Sequence, residues 1–136
     1  MPRILAVDYG EKRIGLALSD ESQTIAGAID PLGNKGRDDL IKKIGNIVKR
    51  DDVEKIIVGL PVNLAGEEAF EARFVKEFSF FLEEKLQKKV IFEDERFSSH
   101  QAEDVIRQKG QKGKASVDSQ AAQFILQAFL DRNAKK

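Results

Sequence analysis

Three acidic residues stand where an apolar run stops or a helix starts: Asp8 after ILAV, Glu95 after VIFED, and Asp118 in SVDSQAA. Apolar or small residues would fit those places equally well. Brought together, the three carboxylates offer oxygen ligands only, the donor set that suits Mg2+ or Mn2+. Two such ions about 4 Å apart activate a water and stabilise the leaving oxygen in phosphodiester cleavage, without histidine or cysteine. Without a cation the same carboxylates would repel one another. Two of the acids also have an ordinary structural use, Asp8 in an Asx turn ahead of Gly10 and Asp118 as a cap or charge complement at a helix N-terminus, whereas Glu95 is less easily dismissed. Taken singly, those uses are the commoner ones. In EDER, alternation puts Glu93 and Glu95 on one face and Asp94 on the other, so pattern does not choose between the glutamates, although position at the strand end favours Glu95.

Composition narrows the chemistry further. The chain has no cysteine and a single histidine, His100, which excludes disulfides, thiolate metal sites, cysteine nucleophiles and a multi-histidine zinc site. Lys plus Arg and Asp plus Glu both total 23, so there is no global positive field, and any grip on nucleic acid must come from local clusters. The length, 136 residues, fits one domain spanning 1–136. No signal-peptide pattern and no apolar run of about 18 residues is present, so the expectation is a soluble, cytoplasmic protein without membrane attachment.

The elements that must position the acids follow from periodicity. Ile4 to Val7, Ile14 to Leu18 and Thr24 to Ile29 are short apolar or β-branched runs separated by turn-rich DYGEK and SDESQ, which predicts three strands in antiparallel hairpins. Leu40, Ile41, Ile44, Ile47 and Val48 make one stripe on a helix from Arg37 to Arg50. KIIVGLP suits a parallel strand buried on both faces and stopped by Gly59 and Pro61. A helix over Glu67 to Lys85 places Phe70, Phe74, Phe78, Phe81 and Leu82 on one face, expected to be core. KKVIFEDER is a further strand, Ala102, Val105 and Ile106 mark a shorter helix ending near Gly110, and a last helix begins near Ser116 or Asp118. That helix is expected to bury Val117, Ala121, Phe124, Ile125, Ala128 and Phe129. The sum is an α/β mixed sheet with helices on both faces, and in such sheets binding sites lie beyond the carboxyl ends of the parallel strands.

Four stretches together resemble the YqgF/RuvX family, known both as Holliday junction resolvases and as nucleases maturing the small-subunit ribosomal RNA precursor. They are DYGEKRIGLALSD, VGLPVNLAGEEAFEARFVKEF, FEDERFSSHQAEDVI and VDSQAAQFILQAFL, and they span nearly the whole chain in the family's order. The resemblance implies a ribonuclease H-like fold, a five-stranded mixed sheet of order 3-2-1-4-5 with strand 2 antiparallel, and a divalent-metal nuclease site. Its acidic positions fall on Asp8, Glu95 and Asp118, which resolves EDER in favour of Glu95. Its basic pair matches Lys12 and Arg13, and its GLP loop matches Gly59, Leu60 and Pro61, followed by Asn63 and Gly66. Two departures stand out: Phe97-Ser98-Ser99 replaces a Leu-Ser-Thr type sequence after the DER motif, and the basic loop before Asp118 is sparser than in relatives.

Other residues take roles around this set. Lys12 and Arg13, in a hairpin turn near Asp8, would hold a flanking phosphate, and Arg96 would contact the scissile phosphate or pair with Glu95. Arg107, Lys109, Lys112 and Lys114 put four positive charges in eight residues with no acid among them, the best candidate for a phosphate-backbone contact. Pro61, Asn63 and Gly66 would lie on the rim beyond the middle parallel strand. His100 caps or faces solvent on the shorter helix. The leading expectation is a metal-dependent nuclease on structured nucleic acid, pre-16S rRNA in a ribosomal precursor particle or branched DNA, acting as monomer or homodimer. Competing classes are a non-catalytic RNA-binding assembly factor and an ATP-binding domain of the actin and sugar-kinase type, whose glycine-rich D-x-G hairpin Gly10 and Gly15 fit loosely. That last class binds nucleotide between two domains.

Overall fold

The apolar run of β1 (Arg3–Asp8) is buried on both sides because it lies at the centre of the sheet. The computed structural model describes residues 2–62, 65, 67–94 and 114–133, the last segment with backbone only for 114–118. β1 pairs antiparallel with β2 (Arg13–Ser19) and parallel with β4 (Val53–Leu60). β3 (Ala26–Gly33) is antiparallel to β2, and β5 (Lys89–Asp94) is parallel to β4. The order is β3-β2-β1-β4-β5, the sheet that the resemblance implies, with β2 the antiparallel member.

Alternation along β1 divides the core into two. Leu5 and Val7 face α1 (Arg37–Arg50) and α2 (Ala72–Leu86), packing with Leu40, Ile44, Phe78 and Leu82. Ile4 and Ala6 face the opposite way, onto Ile125, Leu126 and Phe129 of α3 (Lys114–Asn133). Helices therefore cover both faces. α1 has the span its apolar stripe predicts, with Asp38 and Asp39 in the first turn and Lys49 and Arg50 in the last, as the helix dipole favours.

Four expectations are corrected. β3 starts at Ala26, not Thr24, because the Asp20 carboxylate accepts the Thr24 and Ile25 N–H groups at 2.8 and 3.1 Å and keeps them in the turn. It also runs on past Ile29 through Pro31, which an edge strand tolerates. α2 starts at Ala72, not Glu67, because a bridge between Val62 and Glu68 and the Ala69 N–H bond to the Pro61 carbonyl (3.0 Å) spend those residues on a loop.

The phenylalanine stripe is only partly core. Phe78 is 3% exposed, but Phe70 and Phe74 are 68% and 50% exposed, since Phe70 precedes the helix and Ala72 and Val75 take the buried face of its first turn. Finally, α3 begins at Lys114, and its buried stripe is displaced by one position, onto Ala122, Ile125, Leu126, Phe129 and Leu130. Ile125 and Phe129 are shared with the predicted stripe, Ala121, Phe124 and Ala128 are half-buried, and the Val117 side chain lies outside the described residues. The shift comes from a polar row on the same helix. Ser119, Gln123 and Gln127 bind the backbone of β3, so they must face that edge strand.

Candidate active site

Asp8 is the last residue of the central strand and pairs with Gly15 across the ladder. It continues the face of Ile4 and Ala6, so alternation turns it toward α3. Gly15 adds no side chain on that face. Asp8 is half-buried, and among the described residues its carboxylate has no hydrogen-bond or ion-pair partner. Nothing described there uses it as a turn residue.

The hairpin after Asp8 is held firmly. A Cβ on Gly10 would lie 2.5 Å from the Arg13 carbonyl oxygen, so only glycine closes this turn. The Tyr9 ring packs on Phe78 at 4.9 Å between centroids. Asn34 donates its amide to the Gly10 carbonyl (2.9 Å) and its backbone N–H to the Lys12 carbonyl (2.8 Å). Lys12 and Arg13 are thus presented, exposed, on a fixed turn beside Asp8.

A serine that sequence reasoning passed over positions the far end of the chain. In β2–β3 the register slips between Ile14, opposite Leu32, and Leu16, opposite Ile29, which puts an extra residue on the β3 side at Asp30–Pro31. Ser119, fully buried, fills the gap. Its Oγ accepts the Leu16 N–H at 3.0 Å and donates to the Ile29 carbonyl at 2.7 Å. One hydroxyl thereby stands in for a missing ladder bond and fixes the backbone of its neighbour Asp118 beside the strand that carries Gly15. Asp118 lies in the second turn of α3, not at its start, so helix capping does not account for it. Lys114, expected in the basic loop, belongs to the first turn of the same helix.

Glu93 has a separate duty. It is buried, and both its oxygens accept from the Arg132 guanidinium, which ties β5 to the end of α3. The hydrogen bonds to Glu93 raise the Arg132 pKa above its already high value. Glu93 is therefore committed to an ion pair and does not compete with Glu95. Pro61 closes the loop after β4 through Ala69. Glu95, Arg96, His100, Arg107, Lys109, Lys112, Asn63 and Gly66 lie outside the described residues, as does the short helix expected before Gly110. Among the described residues no three metal-capable side chains gather.

A family model described as RuvX, Holliday junction resolvase, matches residues 2–132. The chain belongs to the RuvX family. A RuvX-family relative from Sulfurihydrogenibium sp. (strain YO3AOP1), named "Putative pre-16S rRNA nuclease", is 41% identical over 135 residues, covering 97% of this chain and 92% of its own. One of the same name from Caldanaerobacter subterraneus subsp. tengcongensis is 40% identical, covering 95% and 96%. Among solved structures, T. thermophilus RuvC in complex with a Holliday junction substrate superposes with a TM-score of 0.65 at 12% identity, covering 98% of this chain and 97% of that one. Fowlpox virus resolvase with its junction DNA gives 0.61 at 17% identity, covering 96% and 98%. These likenesses establish the ribonuclease H-like fold of this RuvX-family chain. No described helix is long and apolar enough to cross a membrane.

Proposed function

We propose that this chain is a nuclease that hydrolyses phosphodiester bonds in structured nucleic acid, and that its cellular substrate is the 5′ end of pre-16S rRNA, met in the cytoplasm within a ribosomal precursor particle. The observation that carries the reading is Asp8. A half-buried carboxylate without a described partner, at the end of the central strand and on the face that Ser119 fastens to α3, is poorly explained by stability alone.

The donor set fits a divalent cation. Asp8 has both oxygens free of described protein partners, and every candidate ligand is a carboxylate, which suits Mg2+ or Mn2+. Asp8, Glu95 and Asp118 would hold it: Asp8 is on the α3 face, Asp118 is on α3 itself, and Glu95 directly follows β5, whose Ile91 and Glu93 meet α3. Two bound cations would supply an activated water and charge stabilisation for the leaving oxygen. The chain's own residues do the rest. Ser119 holds the Asp118 backbone against β2, while Lys12 and Arg13 bind the phosphate flanking the cut from the hairpin that Asn34 anchors. Arg96 would meet the charge developing on the scissile phosphate, and Arg107, Lys109, Lys112 and Lys114 would contact the backbone beyond it. The loop of Pro61, Asn63 and Gly66 shapes access.

A second reading, resolution of branched DNA, draws on the family model's description and on the fold shared with RuvC. Cutting a symmetric junction would require two copies of the site. The test compares wild type with Asp8→Asn on a pre-16S 5′-leader RNA and on a four-way DNA junction, with Mg2+, Mn2+ and EDTA. Metal-dependent cutting of the RNA, lost in the variant, is expected. Preference for the junction would favour the second reading, and equal cutting by the variant, or none by wild type, would overturn both.

A further inference from the structure

We propose that the groove between the C-terminal halves of α1 and α2 is a second binding site for a nucleic-acid phosphate backbone, lined by Lys42, Lys49, Lys85 and Lys88. The groove encloses about 400 Å3 and no acidic residue lines it. Among the described residues none of the four lysines forms an ion pair, whereas Lys43 and Lys76 elsewhere on the same helices do, with Asp39 and Glu68. Asp39 pairs with Lys43 at 3.1 Å and Glu83 accepts the Val90 N–H at 2.8 Å, while Asp38 and Glu84, one turn before Lys42 and Lys88, line no part of the groove and pair with neither lysine. In a chain whose charges balance at 23 each, four uncompensated cations around one concavity are a local field of a single sign. Helix dipoles account for Lys49 and Lys85, which sit in the last turns of α1 and α2. The same dipole favours Lys88 just past the α2 C-cap, but it does not account for Lys42 in mid-helix.

Gly45 lets the two helices meet tightly, since a Cβ there would press on the Leu86 side chain at 3.0 Å. The groove lies on the other face of the sheet from Asp8 and at its other end, where α1 and α2 lead into the starts of β4 and β5. α1 starts just after Asn34, which holds the Lys12 hairpin, and its 14 residues extend about 21 Å. This site rests on the nuclease reading, and it explains how a chain without net positive charge could hold a long substrate.

The test uses the full chain with Lys42, Lys49, Lys85 and Lys88 all changed to Gln, and a second variant with all four changed to Arg. Affinity for a labelled RNA hairpin and a DNA duplex is read by fluorescence anisotropy in EDTA across a salt series, beside poly-glutamate as a non-nucleic polyanion. The expected result is at least tenfold weaker binding of both nucleic acids by the Gln variant and a salt slope smaller by about three to four. The Arg variant should restore affinity. With metal, cutting of substrates whose duplex ends within about four base pairs of the cut should be unchanged, because they fall short of the groove. Unchanged affinity and slope in the Gln variant would overturn this site while leaving the nuclease reading intact. So would poly-glutamate binding that is lost in the variant while nucleic-acid binding is kept, which would assign the groove to an acidic protein. Absence of any nucleic-acid binding or cutting by wild type would overturn both.

Discussion

Replacing Ser119 with alanine removes one oxygen and strands two backbone groups. The Leu16 N–H and the Ile29 carbonyl both meet that oxygen, at 3.0 and 2.7 Å, in a fully buried place at the β2–β3 bulge. Each buried group left without a partner costs about 1–3 kcal/mol. The extra residue at Asp30–Pro31 keeps the strands from simply closing on each other, so partial relaxation recovers only some of this, and a net loss of about 3 kcal/mol follows. For a chain of this length that lowers the melting temperature by about 10 °C. The assay is urea and thermal unfolding followed by circular dichroism, with Ser22→Ala as the control, because Ser22 bonds Asp20 at an exposed turn. The control should change stability by less than about 0.5 kcal/mol. A Ser119→Ala loss under about 1 kcal/mol would refute the idea that the hydroxyl replaces a ladder bond.

Phe78→Ala should cost about 3–5 kcal/mol in urea unfolding, whereas Phe70→Ala, at a largely exposed ring, should stay within about 0.5 kcal/mol; equal losses would show that the whole stripe is core. Gly10→Ala should destabilise by about 1–3 kcal/mol, since the new Cβ would meet backbone at Arg13, and should weaken nucleic-acid binding by displacing Lys12. The Asp20 carboxyl is held well below the usual carboxylate range, chiefly by the Thr24 N–H and then by Ile25 and Ser22. A depressed folded-state pKa gives stability that is present above the unfolded value and lost as pH falls through the folded one. Asp20→Asn should therefore be less stable than wild type at neutral pH, with the gap closing as pH drops below about 4; a gap independent of pH would refute this.

Much of the fold was legible because the strongest signals were also the most buried. ILAV and KIIVGL lie between helices on both faces, so their unbroken apolar runs carried the strand assignment alone, and the stripe of α1 matched a helix with a single buried side. Weaker cases had two competing uses. Phe70 continues a helical pattern into a loop that the bond between Pro61 and Ala69 draws away, and Phe74 yields the buried face of the first turn to Ala72 and Val75. α3 carries apolar and glutamine rows on adjoining faces, and pattern could not say that the glutamines would sit on the backbone of β3. Within the candidate site, Asp8 stood out by its position after an apolar strand. The choice of Glu95 over Glu93 came from family resemblance, and the ion pair of Glu93 with Arg132 supplies a physical reason for setting Glu93 aside. Ser119 was missed because a serine near a helix start suggests capping; only the irregular register of β2 and β3 reveals its use.

The bond between Leu16 and Ser119 joins residues 103 positions apart, which gives the chain a schedule during its own synthesis. At about 5–20 residues per second, roughly 5–20 s pass between the making of β2 and of the helix that covers it. Until then Ile4, Ala6, Ala17 and Ile57 have no cover on that side, and Asp8 has no helix beside it. The nascent sheet is therefore adhesive until one docking event covers that face. The last helix to be made is thus the one that completes the second face of the core.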